Sequence, residues 1–364
     1  MRSFRLAATL VAALAATSLH AADPQTENVV LITLDGVRIQ EIFGGLDEVV
    51  AREFVKKGRA EDSPLWQRYW APTPEERRRK LMPFLWGILL AEHGTIAGNA
   101  AAGSVMRVSN RHRFSYPGYS EIATGAAHDA EIDSNDNRRN PFPSVLEIVR
   151  RERNLDRRAV ATFASWETFL WIVEHEEGAT TVNAGLQAYE HPDHELQVLS
   201  RWQFETRPPW DGIRHDVYTW RFARAHLATY QPRLLWVALD ETDDWAHDGR
   251  YDRVLDSLAR FDAALADLWT WLQAHDQYRG KTAIVITTDH GRGTGPTAWR
   301  DHGKDIEGAQ DVWVAIAGSD VTRRGEWRDT PAIYQNQIAA TVASLLGVDY
   351  ARFVPAAGPP LPLR

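Results

Sequence analysis

Carboxylate and imidazole side chains follow three apolar segments of this sequence and could together bind metal ions. The candidate ligands are Asp35, Asp243, His247, Asp289, His290 and His302. Asp243 and His247 are four residues apart, so one turn of helix would place both on the same face. All donors are oxygen or nitrogen, a set that suits two divalent cations, zinc first and manganese as the alternative. Two such ions about 4 Å apart promote in-line displacement at phosphorus.

Ser115, in the stretch Ser115-Tyr116-Pro117-Gly118-Tyr119, is the candidate nucleophile. Pro117 and Gly118 predict a turn, and a helix is expected from Tyr119. Ser115 would then lie near a helix N-terminus, where backbone N–H groups and the helix dipole favour an anion. Taken singly, Ser115 could equally cap a helix or sit in a turn, and Asp35 could equally be a helix cap.

Four apolar runs supply the elements that must position these side chains. They are predicted to be buried strands at residues 28–34, 234–239, 282–287 and 312–317. Strands that are apolar on both faces are typical of a central, mostly parallel sheet, and such sheets bind ligands at the carboxyl ends of their strands. The first three runs end shortly before candidate ligands. The sequence therefore predicts one site at one edge of the sheet.

Helical segments separate the predicted strands. Ser144 and Glu147 form a capping box that opens a helix to about Arg153, and apolar residues three and four apart predict a long helix from Tyr251 to about His275. A final helix is expected over residues 337–346. The alternation predicts an α/β fold with helices on both faces of the sheet, in a single domain from residue 22 to 364. The stretches at about 46–112 and 165–230 fit it poorly and are expected to be insertions that cover the site.

The composition excludes several classes of protein. Lys and Arg number 41 against 49 Asp and Glu, a net charge of −8, so the chain is a poor candidate for wrapping nucleic acid. A small anionic substrate is still compatible with this charge, because bound metal ions can reverse the local charge of a site. The sequence has no Cys, which excludes disulfides, Cys–zinc sites and thiol nucleophiles.

Residues 1–21 have the features of an export signal. Two arginines precede an apolar run over residues 6–19, and a small residue, Ala21, stands at the expected cut. The apolar run is shorter than the roughly 20 residues that cross a bilayer, and no other long apolar run follows. We expect a periplasmic or secreted protein with no membrane span, and an uncleaved anchor is the alternative.

In chain order, the candidate residues resemble those of the alkaline phosphatase superfamily. The order is Asp35-Gly36, Ser115 to Tyr119 with Thr124-Gly125, Asp243 with His247, Asp289 to Gly291, and His302-Gly303. The layout is most similar to the type I phosphodiesterase/nucleotide pyrophosphatase branch, and the resemblance extends over about residues 28–347. It implies an alkaline phosphatase-like fold, in which helices sandwich a central mostly parallel sheet, and the activity of a phosphoric ester hydrolase.

The resemblance also implies a role for each candidate. One metal ion would be surrounded by Asp35, Ser115, Asp289 and His290, and the other would be held by Asp243, His247 and His302. Ser115 would attack the substrate and carry the phosphoryl group transiently. An Asn downstream of the nucleophile would contact the phosphate. Asn135 and Asn137 are the candidates for that role, and of the two we predict Asn135.

Two departures from the superfamily's patterns bear on specificity. The phosphodiesterase branch usually has Thr-Phe-Pro-Asn where this chain has Ser115-Tyr116-Pro117-Gly118, so the choice between diesters and monoesters stays open. Sulfatases of the superfamily have an Arg where this chain has Tyr119, which argues against a sulfatase. A small phosphate ester is the expected substrate, and the sequence indicates no oligomeric state. The alternatives are a sulfate or phosphonate ester hydrolase of the same superfamily and a non-catalytic exported binding protein.

Overall fold

The computed structural model of the chain describes residues 25–364. The predicted export signal at residues 1–21 lies outside the described residues. Within residues 25–364, no helix combines the length and the apolar character that crossing a membrane requires.

The described part of the chain alternates between strands and helices. The strands are β1 Asn28–Leu34, β2 Gly94–Ala97, β3 Met106–Arg107, β4 Val160–Ala164, β5 Thr181–Ala184, β6 Leu234–Leu239, β7 Thr282–Thr287, β8 Asp311–Val312, β9 Val314–Gly318, β10 Gly325–Glu326 and β11 Ile333–Tyr334. The α-helices are α1 Ile39–Gly44, α2 Glu48–Phe54, α3 Pro64–Tyr69, α4 Pro74–Leu81, α5 Leu90–His93, α6 Ser115–Thr124, α7 Val145–Glu152, α8 Phe169–Ile172, α9 His194–Glu205, α10 Asp216–Tyr230, α11 Glu241–His247, α12 Tyr251–Ala274, α13 Gly295–Ala298 and α14 Ile338–Leu345. A π-helical turn over Leu85–Leu89 leads into α5.

Eight of these strands form one sheet in the order β10-β2-β9-β7-β1-β6-β4-β5. Strands β7, β1, β6, β4 and β5 are parallel neighbours, whereas β9 runs antiparallel to both β7 and β2. Strands β11, β3 and β8 form a small second sheet. The predicted α/β fold with a central, mostly parallel sheet is confirmed.

The central strand β1 is buried on both faces because its side chains alternate between two apolar cores. Val30, Ile32 and Leu34 belong to the core that includes the apolar face of α12. Val29 and Leu31 belong to the core that includes α7 and α14. Burial of apolar surface contributes about 25 cal/mol per Å², so these two cores are the main source of stability on either side of the sheet.

The register of the sheet aligns the carboxyl ends of its three central strands. Leu34 of β1 pairs with Leu239 of β6, and Thr33 of β1 pairs with Thr287 of β7. The chain therefore leaves all three strands at the same edge, as the sequence predicts. The Asp35 N–H donates to the carbonyl of Leu239 at 2.9 Å, which extends the β1–β6 pairing into the site.

The helices follow their sequence signals closely. Helix α7 begins after Ser144, and the Ser144 hydroxyl and the Glu147 carboxylate accept each other's backbone N–H groups as a capping box. The long helix predicted to about His275 ends at Ala274. Helix α14 is followed by Gly347 at a φ of 72°, a left-handed conformation that favours glycine.

Two local predictions were wrong. The run at residues 312–317 breaks at Trp313 into β8, which joins the small sheet, and β9, which is antiparallel to β7. Trp313 is fully buried, and its indole N–H donates to the carbonyl of Val37 at 3.0 Å. An apolar run specifies burial but not the direction of a strand.

Pro117 and Gly118 lie within the first turn of α6 rather than in a turn before it. A first helical turn tolerates Pro because its N–H groups have no partner inside the helix.

Residues 46–112 and 165–230 contain strands of the main sheet as well as helices. The first stretch provides β2 and the second provides β5, which lie toward opposite ends of the main sheet. The role of these stretches as insertions that cover the site stays a prediction, as does the single domain spanning residues 22–364.

Candidate active site

Helix α6 begins at Ser115 and carries the candidate nucleophile. Phe114 precedes the helix without a side-chain cap, so Ser115 is the first helical residue and not the cap. Its hydroxyl Oγ lies 3.4 Å from Nε2 of His290. All ten residues of α6 are buried. The hydroxyl therefore faces the cluster of candidate ligands, and the capping alternative does not hold.

Asp35, Asp289 and His290 form one group of candidate ligands. Nε2 of His290 lies 3.4 Å from Oδ1 of Asp35 and 3.4 Å from Oδ2 of Asp289. These two carboxylate oxygens are buried and accept no hydrogen bond from the described residues. The other oxygen of Asp35 accepts the Tyr119 hydroxyl at 2.9 Å. Asp35 thus faces the cluster and caps no helix, because α1 begins at Ile39 after Arg38.

Asp243, His247 and His302 form a second group. Nε2 of His247 lies 3.1 Å from Oδ2 of Asp243 and 3.0 Å from Nε2 of His302. Nε2 of His302 lies 3.8 Å from Oδ1 of Asp243. Nε2 of His290 is 3.8 Å from the same Asp243 oxygen, so the two groups are contiguous. The structure brings together all the residues that the sequence singled out as ligands.

Electrostatics within the cluster favour a bound cation. Burial raises the pKa of the Asp35 carboxyl well above its usual range, and the charge of Asp243 raises it further. Burial also raises the pKa of Asp289, with Asp35 as the strongest neighbouring like charge. Buried carboxylates stay ionised side by side only when a cation compensates them. The unpartnered oxygens of Asp35 and Asp289, together with imidazole donors and no sulfur, fit divalent cations such as zinc or manganese.

Arg292 is a buried cation in the site that we did not predict from the sequence. Its guanidinium donates to the carboxylate of Asp243 and, at 2.9 Å, to the Asp243 carbonyl. Burial acts to raise the pKa of Asp243, but the Arg292 charge and the hydrogen bond from His247 outweigh it and hold that pKa well below its usual range. Arg292 is 2% exposed. Its place two residues after His290 is the signal that could have identified it.

Gln335 joins the nucleophile's helix to the end of β7. Its side-chain amide donates to the carbonyl of Gly118 at 2.8 Å and to the carbonyl of Asp289 at 2.9 Å. Gln335 is fully buried. It lies 217 residues beyond Gly118 in the chain, and no local pattern marks it. Only the three-dimensional arrangement shows that it positions Ser115 relative to Asp289.

Glu121 holds the segment that leads into Ser115. Its carboxylate accepts the backbone N–H groups of Ser109 and Asn110 and the side-chain amide of Asn110, at 2.8 to 3.0 Å. Burial raises the pKa of Glu121 although these hydrogen bonds oppose the shift. An acidic residue in an otherwise buried helix was the signal for such a role.

Asn135 lies beside the candidate nucleophile, whereas Asn137 contacts another element. Oδ1 of Asn135 accepts the backbone N–H of Tyr116, the residue after Ser115, at 2.9 Å. Oδ1 of Asn137 accepts the hydroxyl of Thr168 at 2.7 Å. The structure therefore favours Asn135 of the two, and its contact with phosphate stays a prediction.

Comparison with known proteins assigns the chain to a family. The sequence model of the type I phosphodiesterase / nucleotide pyrophosphatase family matches residues 127–342, more than half of the chain. The chain belongs to this family. The resemblance inferred from the sequence is confirmed, and so is the assignment as a phosphoric ester hydrolase. Asp35 and Ser115 lie before the matched residues, so their roles depend on the geometry described above. None of the curated proteins matches the chain in sequence.

Solved structures share the alkaline phosphatase-like fold of this type I phosphodiesterase family member. The alkaline phosphatase PafA superposes with a TM-score of 0.61 at 11% identity, covering 94% of this chain and 99% of PafA. The lipoteichoic acid synthase LtaP from Listeria monocytogenes gives 0.55 at 10% identity, covering 88% of this chain and 72% of LtaP. Ps i-CgsB gives 0.55 at 14% identity, covering 89% of this chain and 72% of its own. At these identities the similarity establishes the fold alone.

Proposed function

We propose that the chain is an exported, metal-dependent phosphodiesterase that hydrolyses small phosphate esters through a phospho-Ser115 intermediate. The observation that carries the proposal is the position of the Ser115 hydroxyl, 3.4 Å from Nε2 of His290. The same His290 nitrogen lies 3.4 Å from each of the two unpartnered carboxylate oxygens, Asp35 Oδ1 and Asp289 Oδ2. Membership of the family supports the hydrolysis of phosphoric esters.

Two divalent cations, zinc or manganese, are the proposed cofactors. The residues that would hold the first cation are Asp35, Ser115, Asp289 and His290. The residues that would hold the second are Asp243, His247 and His302. Bound there, the cations would make a hydroxyl group more nucleophilic and neutralise charge on the phosphate. Arg292 helps to orient Asp243, because its guanidinium donates to the Asp243 carboxylate and carbonyl.

The chain's own residues position the nucleophile for a two-step displacement. Ser115 Oγ forms a bond to phosphorus as the bond to the leaving oxygen breaks, and the alcohol departs with a proton. Water then attacks the phosphoserine, releases a phosphate monoester from a diester substrate, and restores the Ser115 hydroxyl. Because Ser115 is the first residue of α6, the helix dipole favours the negative charge of the phosphate at this position. Asn135, held against the N–H of Tyr116, would contact the phosphate oxygens.

A substrate comparison tests the proposed activity. Protein purified with zinc is assayed on bis(p-nitrophenyl) phosphate, p-nitrophenyl phosphate and p-nitrophenyl sulfate, each with and without a chelator. We expect hydrolysis of the diester to be strongest and to be abolished by the chelator. A preference for the monoester would contradict the phosphodiesterase assignment. Activity confined to the sulfate, or none on any substrate with metal bound, would overturn the proposal in favour of the alternatives.

Replacement of the nucleophile tests the mechanism. Ser115→Ala is expected to abolish turnover and the labelling of the protein by a slow substrate, while metal remains bound. Ser109→Ala, an exposed serine on the segment that leads into α6, is the matched control and should leave turnover unchanged. Full turnover by Ser115→Ala would show that another group attacks phosphorus.

Export is the remaining part of the proposal. The basic start and the apolar run of residues 1–21 support it. The mature protein is expected to begin at Ala22 and to be recovered outside the cytoplasm. N-terminal sequencing of the protein from the periplasmic fraction measures this, and recovery in the membrane fraction with an intact Met1 would favour an anchored chain.

A further inference from the structure

A cavity lies between α10, α11 and α12, apart from the candidate ligands. Its volume is about 710 Å³, within the range of roughly 300–1,000 Å³ that small-molecule sites occupy. Its apolar lining includes Leu239, Trp220, Trp245 and Phe261. The rings of Trp220 and Phe261 meet edge to face with their centroids 6.3 Å apart. The cavity thus offers an aromatic and aliphatic surface large enough for a small organic molecule.

Helix α11 separates this cavity from the candidate metal centre. Asp243 and His247, on one face of α11, contact each other at 3.1 Å within the ligand cluster. Glu241 and Trp245, which line the cavity, are displaced from them by about half a helical turn. None of the candidate ligands lines the cavity. It is therefore a site of its own and not the place where the scissile phosphate would bind.

The lining contains four arginines and three acids, and two of those acids already accept several hydrogen bonds. The arginines are Arg221, Arg224, Arg253 and Arg260. Arg260 donates to Glu241, whose carboxylate also accepts from His215 and Ser257. The second acid, Asp216, accepts the Ser165 hydroxyl and the N–H groups at the start of α11. Asp267 is the remaining acid of the lining and is exposed.

Arg221 and Arg224 carry positive charges that form no ion pair with the acids of the lining. Neither side chain makes a hydrogen bond or an ion pair within 4.0 Å to the described residues, and Nη1 of Arg224 is buried without a partner. The Arg224 guanidinium stacks over the ring of Trp271 at 4.5 Å, which holds it in place. A buried guanidinium N–H without an acceptor is unfavourable, and an anionic group from a ligand would satisfy it.

We propose that this cavity is a second binding site, for a small amphipathic anion whose apolar body packs on Trp220, Trp245 and Phe261 while its carboxylate or sulfonate group pairs with Arg221 and Arg224. An apolar body without a charge leaves the guanidinium groups unpaired, and a bare anion leaves the aromatic surface exposed to water. The site therefore favours molecules that carry both parts.

Titration with simple probes tests the proposal. The probes are 8-anilinonaphthalene-1-sulfonate, decanoate, decanol and inorganic phosphate. Their binding is measured by calorimetry and by the change in tryptophan fluorescence. We expect one molecule of the sulfonate or of decanoate to bind per chain and to compete with the other. Decanol and phosphate should bind at least about tenfold more weakly, because each lacks one of the two interactions.

Variants distinguish this site from other surfaces. Arg221→Ala removes a charge from the cavity, and Ala263→Trp fills part of its volume. Each should weaken decanoate binding by about tenfold or more. Arg323→Ala, an exposed arginine elsewhere, is the matched control and should bind as wild type does. Ser115→Ala and chelator-treated protein should also bind unchanged. Binding that survives both cavity variants, that is lost in Ser115→Ala, or that never saturates at one molecule per chain would overturn the proposal.

Discussion

Gly118 is the point at which the helix of the candidate nucleophile touches the strand end that carries Asp289. A Cβ at position 118 would lie 2.3 Å from the carbonyl oxygen of Asp289, whereas ordinary contact begins at 3.4 Å. The two backbones would therefore have to separate by about 1.1 Å. The clash is with backbone rather than with a flexible side chain, so a rotamer change cannot relieve it. Gly118→Ala is expected to displace Ser115 from Asp289 and His290.

The geometry sets the size of the expected effect. A displacement of about 1 Å in a catalytic arrangement lowers the rate about 100-fold, equivalent to about 2.7 kcal/mol of transition-state stabilisation. Crowding at a packed contact also costs about 1–3 kcal/mol of folding stability. That is smaller than the 5–15 kcal/mol typical of natural domains, so the variant should still fold. We expect kcat to fall far more than KM changes, because the scaffold remains and only the position of the reacting groups is altered.

The assay compares two glycine-to-alanine variants under the same conditions. Steady-state hydrolysis of bis(p-nitrophenyl) phosphate gives kcat and KM, and denaturant unfolding shows that each protein is folded. Gly44→Ala is the matched control, since a Cβ at the end of α1 would meet nothing within 4 Å. It should retain wild-type kcat. A Gly118→Ala enzyme whose kcat stays within about threefold of wild type would refute the reasoning.

Three further predictions concern the metal, pH and stability. Asp243→Asn should lower the zinc content measured by mass spectrometry, whereas Asp248→Asn should not, and equal contents would contradict the second cation. Burial lowers the pKa of His226 to about 4 from its ordinary 6.5, so the native state binds a proton less readily. The contribution of His226 to the free energy of unfolding is therefore complete above pH 6.5 and declines by about 3 kcal/mol as the pH falls to 4. In unfolding experiments with chelator present, the free energy of unfolding of His226→Gln should vary less with pH than that of wild type. Asp262 accepts the two N–H groups that begin the π-helical turn, at 2.9 and 2.8 Å. Asp262→Ala should lower the free energy of unfolding by about 2–4 kcal/mol, and a loss under about 1 kcal/mol would rule out that role.

The parts of the site that could be predicted are those that depend on local pattern. β1, β6 and β7 are short apolar runs, and each is followed by its candidate ligands within a few residues. Parallel strands share one carboxyl edge, so the convergence of Asp35 and Asp289 follows from the apolar pattern alone. The helical spacing of Asp243 and His247 follows in the same way.

The parts that could not be predicted depend on contacts between distant segments. Gln335 bonds to Gly118 and Asp289 through a single side chain, and no periodicity marks such a residue. The antiparallel direction of β9 depends on the path of the chain after β7, and an apolar run carries no information about direction. The start of α6 at Ser115 was missed because Pro117 and Gly118 indicate a turn as readily as a first helical turn.

The site and the fold draw on different interactions, and this explains how like charges can be held together. Burial and neighbouring like charges raise the pKa values of Asp35 and Asp289, so their ionised forms are unfavourable there. Hydrogen bonds tie the strand ends together: the N–H of Gly36 donates to Asp289 Oδ1 at 3.1 Å, and the Thr242 hydroxyl donates to the Asp35 carbonyl at 2.6 Å. The apolar cores on both sides of β1 supply the main stabilisation. The fold therefore stores unfavourable electrostatics at one edge of the sheet, where binding of a cation would relieve it.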